Sequence, residues 1–548
     1  MDTPPAKAAT RQYFTTAAAN GAAAAAFMID AIHLRPGQLS STQIGFGLLL
    51  VLVAFYTHVS LRWEYLYYRN MAQHGCAPPN TVRRDPMGLR YLLNTASAAK
   101  KNVLLQSRVD NLERMGHTFR HQFFPEWTMA ISTDEPENIK AVLASRFDDW
   151  DIPRYRMQGF LPVLGRHSIF TVNGAEWQHA RATLRPAFVR NQLADLERFD
   201  LHARKLLAKL PQDQDGSNEE AKVDLQDLFS MLMVDTTSDF MFGQSTDLLG
   251  AADADSQTFV RYFDASMHKI AWRARLGWLT QLRPDRELDE YVRFMRSYIA
   301  RFVAKVQEQR KTTASASTKS EASRYVFLDQ LIDTGEPDDV IRDQLLSIFV
   351  AGRDTTTSVL TYLFHELSRR PEIVRKLRDE IAGLPAAAQD RPTWEQLKNM
   401  AYLQMAVKEA LRLNPPVALN SREAVRDTVL PRGGGPDGSR PVFVPRGTNV
   451  RYQPWCMQRR RDLYGEDADE FRPERWETIR PTYEYVPFNA GPRICIGQQF
   501  ALTAIAMTTF RILQAYQTIE RRDDRPPVQK LGINLSMLHG CWVSMTPA

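Results

Sequence analysis

Apolar side chains recur at steps of three and four along most of the 548-residue chain, which is the spacing of one face of an α-helix. The longest such pattern runs without a break through residues 343–367. Strand-like runs are short, and two of them, 428–430 and 442–444, flank a turn-rich insertion at 432–438. The pattern therefore predicts a mostly α protein with small β-sheets.

One apolar run near the N-terminus, residues 44–61, is long enough to predict a transmembrane helix. Spanning a bilayer takes about 20 mostly apolar residues, so the run is long enough only if its less apolar last residues are included. The Ala-rich segment before it, residues 1–43, is a candidate second membrane-associated helix. A buried core helix and a cleaved signal peptide are the alternatives, but the run begins too far from the N-terminus for a typical signal peptide.

The residues after this run have the composition of a membrane interface. Four aromatic residues would form a belt there: Trp63, Tyr65, Tyr67 and Tyr68. Basic residues follow them up to Lys101, and positive charge next to a membrane span stays on the cytosolic side. We therefore expect a membrane protein whose C-terminal part faces the cytosol and contacts membrane lipid.

The chain divides into an anchor and one large catalytic unit. Residues 62–80 predict a juxtamembrane linker that ends in a stiff Pro hinge at 77–80, and 81–548 form the catalytic domain. The polar, low-complexity stretch 311–323 predicts a mobile surface loop inside that domain.

Charge and cysteine content exclude several functions. The chain has 69 Lys and Arg against 63 Asp and Glu, a net charge of +6, and the two signs are interspersed, so nucleic-acid binding is not expected. A local basic face that docks an acidic electron-transfer partner remains open. The four cysteines form no C-x-x-C pair and no disulfide framework, which argues against a zinc site and for a reducing compartment.

One of these cysteines, Cys495, lies between Gly491 and Gly497 in the stretch Pro-Phe-Asn-Ala-Gly-Pro-Arg-Ile-Cys-Ile-Gly. A long apolar helix pattern follows at once, so the sulfur precedes a helix N-terminus, where amide groups favour a thiolate. Phe488 can shield the sulfur, and Arg493 can pair with an acidic ligand group. A shielded thiolate beside a flat anionic ligand suits a haem iron, whereas a lone buried cysteine would be inert.

This stretch resembles the haem-binding signature of the cytochrome P-450 family, F-x-x-G-x-x-x-C-x-G. Phe488, Gly491, Cys495 and Gly497 are in register with it, and Arg493 matches its basic position. The resemblance extends from about residue 75 to the C-terminus. It implies the cytochrome P-450 fold, with one haem-enclosing catalytic unit and haem b held by the Cys495 thiolate.

A second motif, Ala-Gly-Arg-Asp-Thr-Thr at 351–356, lies in the middle of the long helix pattern. By itself, Asp354 could cap a new helix there, although the unbroken periodicity argues against it. The motif resembles the family's A-G-x-D-T-T oxygen-binding motif. The resemblance implies that Ala351 and Gly352 leave room for dioxygen, that Thr355 offers a hydroxyl, and that Asp354 supplies protons. One branch of fatty-acid hydroxylases has Glu at the first position and esterifies its haem; Ala351 implies non-covalent haem.

Other matches concern the haem carboxylates and the structure around the cysteine. Trp177 and Arg181 resemble the family's W-x-x-x-R pair and, with Arg422, imply contacts to the haem propionates. Alone, the pair would be part of an ordinary amphipathic helix. Glu409 and Arg412 resemble its E-x-x-R motif, and Arg475 lies in Phe-Arg-Pro-Glu-Arg-Trp. These three imply a buried charge network that fixes the Cys495 loop, rather than an exposed helix pair.

The resemblance implies a haem-thiolate monooxygenase that receives electrons from NADPH through a flavoprotein reductase, with cytochrome b5 as a further candidate donor. Features such as the run Arg422–Gly438 look like the fungal alkane and fatty-acid hydroxylase branch, which implies terminal hydroxylation of a lipophilic substrate with O2. The stretch 267–279 is either a membrane-contacting access route or a plain amphipathic helix. Three alternatives stay open: a tailoring oxidase of a fungal polyketide or terpenoid, a non-catalytic haem sensor or carrier, and a peroxide-dependent rearrangement enzyme.

Overall fold

Helices make up most of the part of the chain that the structure describes, as the apolar pattern predicts. The computed structural model describes residues 41–82, 89–123, 128–188, 196–210, 222–276, 280, 284–314 and 326–548. In chain order, the helices are α1 (Ser41–Gln73), α2 (Leu89–Lys100), α3 (Leu104–Met115), α4 (Pro136–Lys140), α5 (Arg154–Leu164), α6 (Gly174–Leu184), α7 (Glu197–Leu207), α8 (Leu225–Phe242), α9 (Ala254–Leu276), α10 (Arg286–Ala314), α11 (Phe327–Asp333), α12 (Asp338–Leu367), α13 (Pro371–Ala382), α14 (Ala386–Asp390), α15 (Trp394–Asn399), α16 (Ala401–Leu413), α17 (Pro454–Met457), α18 (Arg461–Tyr464) and α19 (Gln498–Ala515).

The strands are short and form small sheets. They are β1 (Asn80–Thr81), β2 (Thr118–Phe123), β3 (Thr128–Thr133), β4 (Trp150–Asp151), β5 (Val223–Asp224), β6 (Asn420–Ala424), β7 (Thr428–Gly434), β8 (Arg440–Val444), β9 (Asn449–Tyr452), β10 (Tyr516–Arg521), β11 (Gln529–Leu531), β12 (Leu535–Met537) and β13 (Trp542–Pro547). One sheet has the order β1-β2-β3-β9-β6-β4, and another has β10-β13-β5. The pairs β7–β8 and β11–β12 are antiparallel. Strands β7 and β8 contain the two strand-like runs predicted on either side of the turn-rich insertion, and they pair as an antiparallel hairpin.

Helix α12 lies at the centre of the largest hydrophobic core. It packs against α8 along much of its length and also contacts α5, α10, α16 and α19. Its apolar positions, such as Leu345, Phe349 and Leu363, are buried in one continuous cluster. The helix is unbroken from Asp338 to Leu367, so Asp354 does not cap a new helix. This confirms the long helix predicted from the periodicity, with a start five residues earlier.

The C-terminal part of α1 packs on the large sheet and its hairpin instead of forming an interfacial belt. Tyr67 is buried in a second hydrophobic core together with Met71 and Phe443. The Arg120 guanidinium lies 4.8 Å from the centre of the Tyr67 ring and donates to Glu64 Oε1 at 3.1 Å. The predicted aromatic belt is therefore wrong for Tyr67, because its ring fills the space between α1 and the hairpin.

The predicted linker has defined contacts, and the predicted loop begins inside a helix. The Ala77 amide donates to the carbonyl of Pro441 at 2.9 Å, and β1 pairs in parallel with β2, so residues 77–81 are bonded to the hairpin and the sheet. Helix α10 continues to Ala314 and thus includes the first residues of the predicted loop, while residues 315–323 lie outside the described residues.

Among the residues that the structure describes, no helix has both the length and the apolarity needed to cross a bilayer. The transmembrane helix predicted over 44–61 is therefore not confirmed, although α1 covers that range. The Ala-rich residues 1–40 lie outside the described residues.

Candidate active site

The loop that carries Cys495 is pressed against the backbone of a neighbouring turn. A Cβ placed on Gly491 would come within 1.9 Å of the Leu143 carbonyl oxygen, and the residue has a φ of +65°. The chain then makes one 3-10 turn, Gly491–Arg493, and the Cys495 amide donates to the Phe488 carbonyl at 2.9 Å. Glycine is therefore required at 491 by both conformation and space.

Helix α19 begins at Gln498, so Cys495 precedes a helix N-terminus as predicted. The thiol is solvent-accessible, yet enough protein surrounds it that burial raises its pKa, against the opposing effects of the Gly497 amide and Arg181. The Gly497 amide acts in the predicted direction, toward the thiolate, but burial has the larger effect on the pKa. Desolvation outweighs the amide and the arginine, so a bound cation would have to supply the rest of the stabilisation.

Trp177, Arg181 and Arg493 meet beside this loop. Helix α6 buries the Trp177 ring, and the Arg493 guanidinium carbon lies 4.2 Å from the ring centre, with that of Arg181 at 5.9 Å. Arg493 also donates to Asn173 Oδ1 at 2.9 Å, but its buried Nε has no partner among the described residues. An open cleft of about 420 Å³ is bordered by Trp177, Arg181 and Pro492.

Positive charge exceeds negative charge around Arg493. Burial and the fields of Arg422, Arg156 and Arg181 lower the pKa of Arg493 to about 9, and Asp151 opposes them only in part. Burial and Arg422 likewise lower the pKa of Arg156. Burial also raises the pKa of the Asp151 carboxyl, so its negative charge is itself weakened. Such a cluster is expected to bind an anion, because neighbouring buried cations repel one another.

The motif at 351–356 lies in the middle of α12, where α8 and α9 come close. The Thr355 hydroxyl donates to the Ala351 carbonyl at 2.7 Å. Burial raises the pKa of the Asp354 carboxyl, although Arg353 and His268 oppose the effect. A Cβ on Gly352 would lie 3.1 Å from Thr237 Oγ1 of α8, so this glycine also serves helix packing. Room for dioxygen beside Ala351 and Gly352 stays a prediction.

Glu409, Arg412 and Arg475 form a buried ion cluster. The Glu409 carboxylate accepts from Arg412 Nε at 2.9 Å and Nη2 at 2.8 Å, and from Arg475 Nε at 3.3 Å. The Trp476 indole and the Arg472 amide also donate to it, at 3.0 and 3.1 Å. One carboxylate therefore receives five hydrogen bonds at a fully buried position.

A glutamine that the sequence analysis did not single out joins this cluster to the cysteine loop. Gln458 Nε2 donates to the Arg412 carbonyl at 2.9 Å, and the Val486 amide donates to Gln458 Oε1 at 2.9 Å. The Val486 carbonyl in turn accepts from the Asn489 amide at 3.1 Å, at the start of the Cys495 loop. Gln458 is fully buried, so these bonds are shielded from water.

Comparisons with known proteins identify the family of the chain. A family model described as cytochrome P450 matches residues 85–539. The chain belongs to the cytochrome P450 family. Cytochrome P450 monooxygenase himC of Aspergillus japonicus is 39% identical over 512 residues, which cover 92% of this chain and 89% of that protein. Cytochrome P450 52A3-B of Candida maltosa is 36% identical over 504 residues, with 88% and 93% covered. Cytochrome P450 52A13 of Debaryomyces hansenii is 39% identical over 498 residues, with 87% and 93% covered.

As a cytochrome P450, the chain is a monooxygenase that uses haem with cysteine thiolate ligation, O2, a small-molecule substrate and electrons from NADPH through a reductase. The sensor or carrier alternative is not supported. The residues present fit haem: a flat dianion would face an accessible sulfur and offset the surplus charge of the arginine cluster. Arg493, Arg181, Arg422 and Arg156 are the groups that would hold its carboxylates.

The structure brings some of the predicted residues together and leaves others apart. Trp177, Arg181 and Arg493 are in contact, and Arg422 acts on Arg493 through its charge. Phe488 is half-buried against the main core. The contacts of Asp354 lie within α12 and toward α9, so its position opposite Cys495 stays a prediction.

Sequence reasoning missed Arg156, Asn173 and Gln458. Arg156 lies in the polar first turn of α5, beside Arg154 and Gln158, so the local sequence does not distinguish it from a surface arginine. Asn173 directly precedes α6 and reads as an ordinary helix cap. Nothing local to the sequence distinguishes Gln458, since its partners are 28 and 46 residues away.

Proposed function

We propose that this cytochrome P450 hydroxylates a fatty acid or an alkane, at or near the end of the chain. The resemblance to the alkane and fatty-acid hydroxylase branch supports the proposal, as do the relatives named cytochrome P450 52A3-B, 52A5 and 52A13. A second candidate is a tailoring oxidase of a fungal secondary metabolite. The relatives named cytochrome P450 monooxygenase himC, FPY7 and fsdH make it the alternative to test.

The cluster formed by Arg493, Arg422, Arg156 and Arg181 is the main support for the proposed haem site. Haem supplies oxygen activation when it is bound, and this chain supplies the sulfur of Cys495 and a cationic cradle for the two carboxylates. Arg493 stacks on Trp177 and donates to Asn173, so its guanidinium is already oriented before a ligand arrives. Preorganised charge of this kind binds an anion with little loss of side-chain entropy.

Thr355 and Asp354 are the candidate proton-handling pair. The Thr355 hydroxyl donates to the Ala351 carbonyl within its own helix, and rotation about χ1 would let the same proton point toward a ligand beside α12. The raised pKa of Asp354 allows its carboxyl to hold a proton closer to neutral pH than an exposed aspartate can. Its side chain is 31% exposed, so it can regain a proton from solvent.

Replacing Cys495 by Ser tests the sulfur ligand. We expect C495S to lose the ferrous–carbon monoxide Soret band that is typical of sulfur ligation. C76A is the matched control, because Cys76 is buried outside the loop. A C495S protein that retains the band would refute the assignment of the axial ligand.

The proton-handling role is tested by T355A. We expect it to keep the Soret band but to release more peroxide per NADPH consumed. T361A is the matched control, since the Thr361 hydroxyl donates to a carbonyl four residues earlier at the same 2.7 Å. Unchanged coupling in T355A, or equal uncoupling in T361A, would count against the role of Thr355.

Product analysis decides between the two substrate classes. Lauric, palmitic and oleic acids and an alkane are incubated with the enzyme, NADPH and a flavoprotein reductase, and products are identified by mass spectrometry. We expect hydroxylation near the methyl end. Turnover of polyketide or terpenoid compounds alone would refute the fatty-acid assignment and support the tailoring alternative. Adding cytochrome b5 tests whether it contributes an electron.

We further propose that the N-terminal part of the chain, residues 1–61, anchors the enzyme to the endoplasmic reticulum membrane, with residues 81–548 as the catalytic domain in the cytosol. Exposed apolar side chains on α1, among them Leu49, Val53 and Phe55, support an anchor. Flotation with phospholipid vesicles should retain the full chain and lose a variant that begins at residue 62. Equal flotation of the two proteins would refute the anchor.

A further inference from the structure

Arg353, the variable position of the motif at 351–356, is a buried arginine that bridges two helices. Its guanidinium pairs with both carboxylate oxygens of Asp264 on α9, through Nη1 to Oδ1 and, at 3.3 Å, through Nη2 to Oδ2. Nη2 also donates to Ser230 Oγ of α8 at 2.8 Å, and the guanidinium carbon lies 5.4 Å from the centre of the Phe263 ring. The Arg353 side chain is 7% exposed, whereas that of Asp264 is 49% exposed.

The same guanidinium faces the carboxylate of its neighbour in the motif. Arg353 Nε lies 3.5 Å from Asp354 Oδ1, and it has no hydrogen-bond partner among the residues described. Arg353 therefore lies between two carboxylates but forms its hydrogen bonds with Asp264. The Arg353 guanidinium, which could stabilise ionised Asp354, is therefore hydrogen-bonded to Asp264 of α9 instead.

The groups whose charges reach Asp354 are few. Arg353 lies on α12 itself, while Asp264 and His268 lie on α9. Helix α8 contributes the hydroxyl groups of Ser230, next to Arg353, and of Thr237, next to Gly352. Besides burial, Arg353 and then His268 favour ionised Asp354, and Asp264 opposes them.

Helix α9 is also positioned by contacts outside this pair. It packs against α5 and α10, and a Cβ on Gly159 of α5 would lie 3.0 Å from the Ala274 backbone. Its exposed carboxylate at Asp264 means that a small outward displacement would expose the pair to water and weaken it. The position of α9 and the charge near Asp354 are thus physically linked.

We propose that Asp264, acting through Arg353, is a positioning residue that couples the position of α9 to proton delivery by Asp354. When α9 is in place, Asp264 holds Arg353 and adds a negative charge near Asp354, and both effects favour the protonated carboxyl. When the pair opens, Arg353 is free to turn to Asp354 and the negative charge moves away. The Asp354 carboxyl then ionises more readily and delivers fewer protons at neutral pH.

This inference rests on the proposed proton-handling role of Asp354. Its test is D264N in the haem-loaded enzyme, with coupling of NADPH consumption to product measured as a function of pH. Coupling should fall as the pH rises and Asp354 ionises, and in D264N this fall should occur at lower pH. D255N is the matched control: Asp255 lies on the same helix and pairs with Arg301 of α10 at 2.7 Å, away from Asp354. D255N should leave the profile unchanged.

A spectroscopic readout separates a charge effect from a structural one. The infrared carboxyl band of protonated Asp354, identified by its loss in D354N, should disappear at lower pH in D264N than in the wild type, with or without turnover. R353K keeps the charge but lacks the planar fork, so it should shift both profiles less than D264N does.

The possible outcomes distinguish this inference from the proposed function. If D354N has the coupling and the pH profile of the wild type, the proton-handling role of Asp354 is wrong. If D354N removes the pH dependence but D264N does not shift it, the role of Asp354 stands and the coupling to α9 is refuted. A shift shared equally by D255N would also refute it.

Discussion

Replacing Glu409 by Gln should destabilise the protein far more than removing an exposed ion pair. The substitution keeps the shape of the side chain but removes the charge that faces Arg412 and Arg475, which are 0% and 2% exposed. Arg412 then has no carboxylate partner, and its other contacts are neutral: the carbonyls of Gln458, Ala468 and Glu470 and the face of the Tyr464 ring. Arg475 keeps Asp467, at 2.9 Å.

The size of the effect follows from this geometry. Breaking a buried ion pair by removing one partner costs about 3–5 kcal/mol, because the remaining charge is left without compensation. In E409Q, Arg412 and Arg475 both lose a carboxylate partner, and only Arg475 keeps a second one, that of Asp467. We therefore expect E409Q to lose an amount of stability in the upper half of this range. A typical folded domain is stable by roughly 5–15 kcal/mol, so the variant should be close to the limit of folding.

The measurement is urea unfolding followed by far-ultraviolet circular dichroism, with E466Q as the control. Glu466 lies near the network in the chain and pairs with Arg461 at 3.4 Å, but both side chains are largely exposed. We expect E466Q to change the free energy of unfolding by less than about 0.5 kcal/mol. E409Q should also lose the Soret band of the carbon monoxide complex at lower urea than the wild type, since Gln458 links Arg412 to the cysteine loop. A loss below about 1 kcal/mol in E409Q would refute the reasoning.

Three further variants test the loop, the arginine cluster and the acid. G491A should lower the melting temperature more than G174A does. Both glycines have positive φ, but of the two only Gly491 has a carbonyl oxygen where a Cβ would lie. Equal losses of melting temperature would mean that the loop relaxes freely. Without haem, R493L should be at least as stable as the wild type, because repulsion within the arginine cluster falls. The haem-loaded variant should transfer its haem to apomyoglobin faster than the wild type does. Lower stability of haem-free R493L would contradict the surplus of positive charge around Arg493. The native pKa of Asp354 is raised, so its ionisation lowers stability as the pH rises from the unfolded pKa through the native one. D354N should therefore melt higher than the wild type near neutral pH and equally at acidic pH, and no pH-dependent difference would refute the raised pKa.

The amino-acid sequence by itself determined the helices and most of the motif placements. Helical periodicity is local, so the long helix through Asp354 and the helix after Cys495 could be predicted from side-chain spacing. The strand-like runs 428–430 and 442–444 likewise predicted two strands, which the structure pairs. The F-x-x-G-x-x-x-C-x-G and E-x-x-R motifs could be recognised because their residues lie close together in the chain. These features need no knowledge of which segments meet in space.

Only the tertiary structure decided which charged groups lie next to those motifs. Arg156 reaches Arg493 across more than 300 residues, and Asp264 reaches Arg353 across 89, so no spacing in the sequence indicates either contact. Burial is likewise a property of the folded chain. It raises the Cys495 pKa by more than the Gly497 amide lowers it, and it places Tyr67 in a core where composition predicted a membrane interface. Local pattern specifies which backbone conformation a segment takes, whereas desolvation and long-range charge depend on what packs around it.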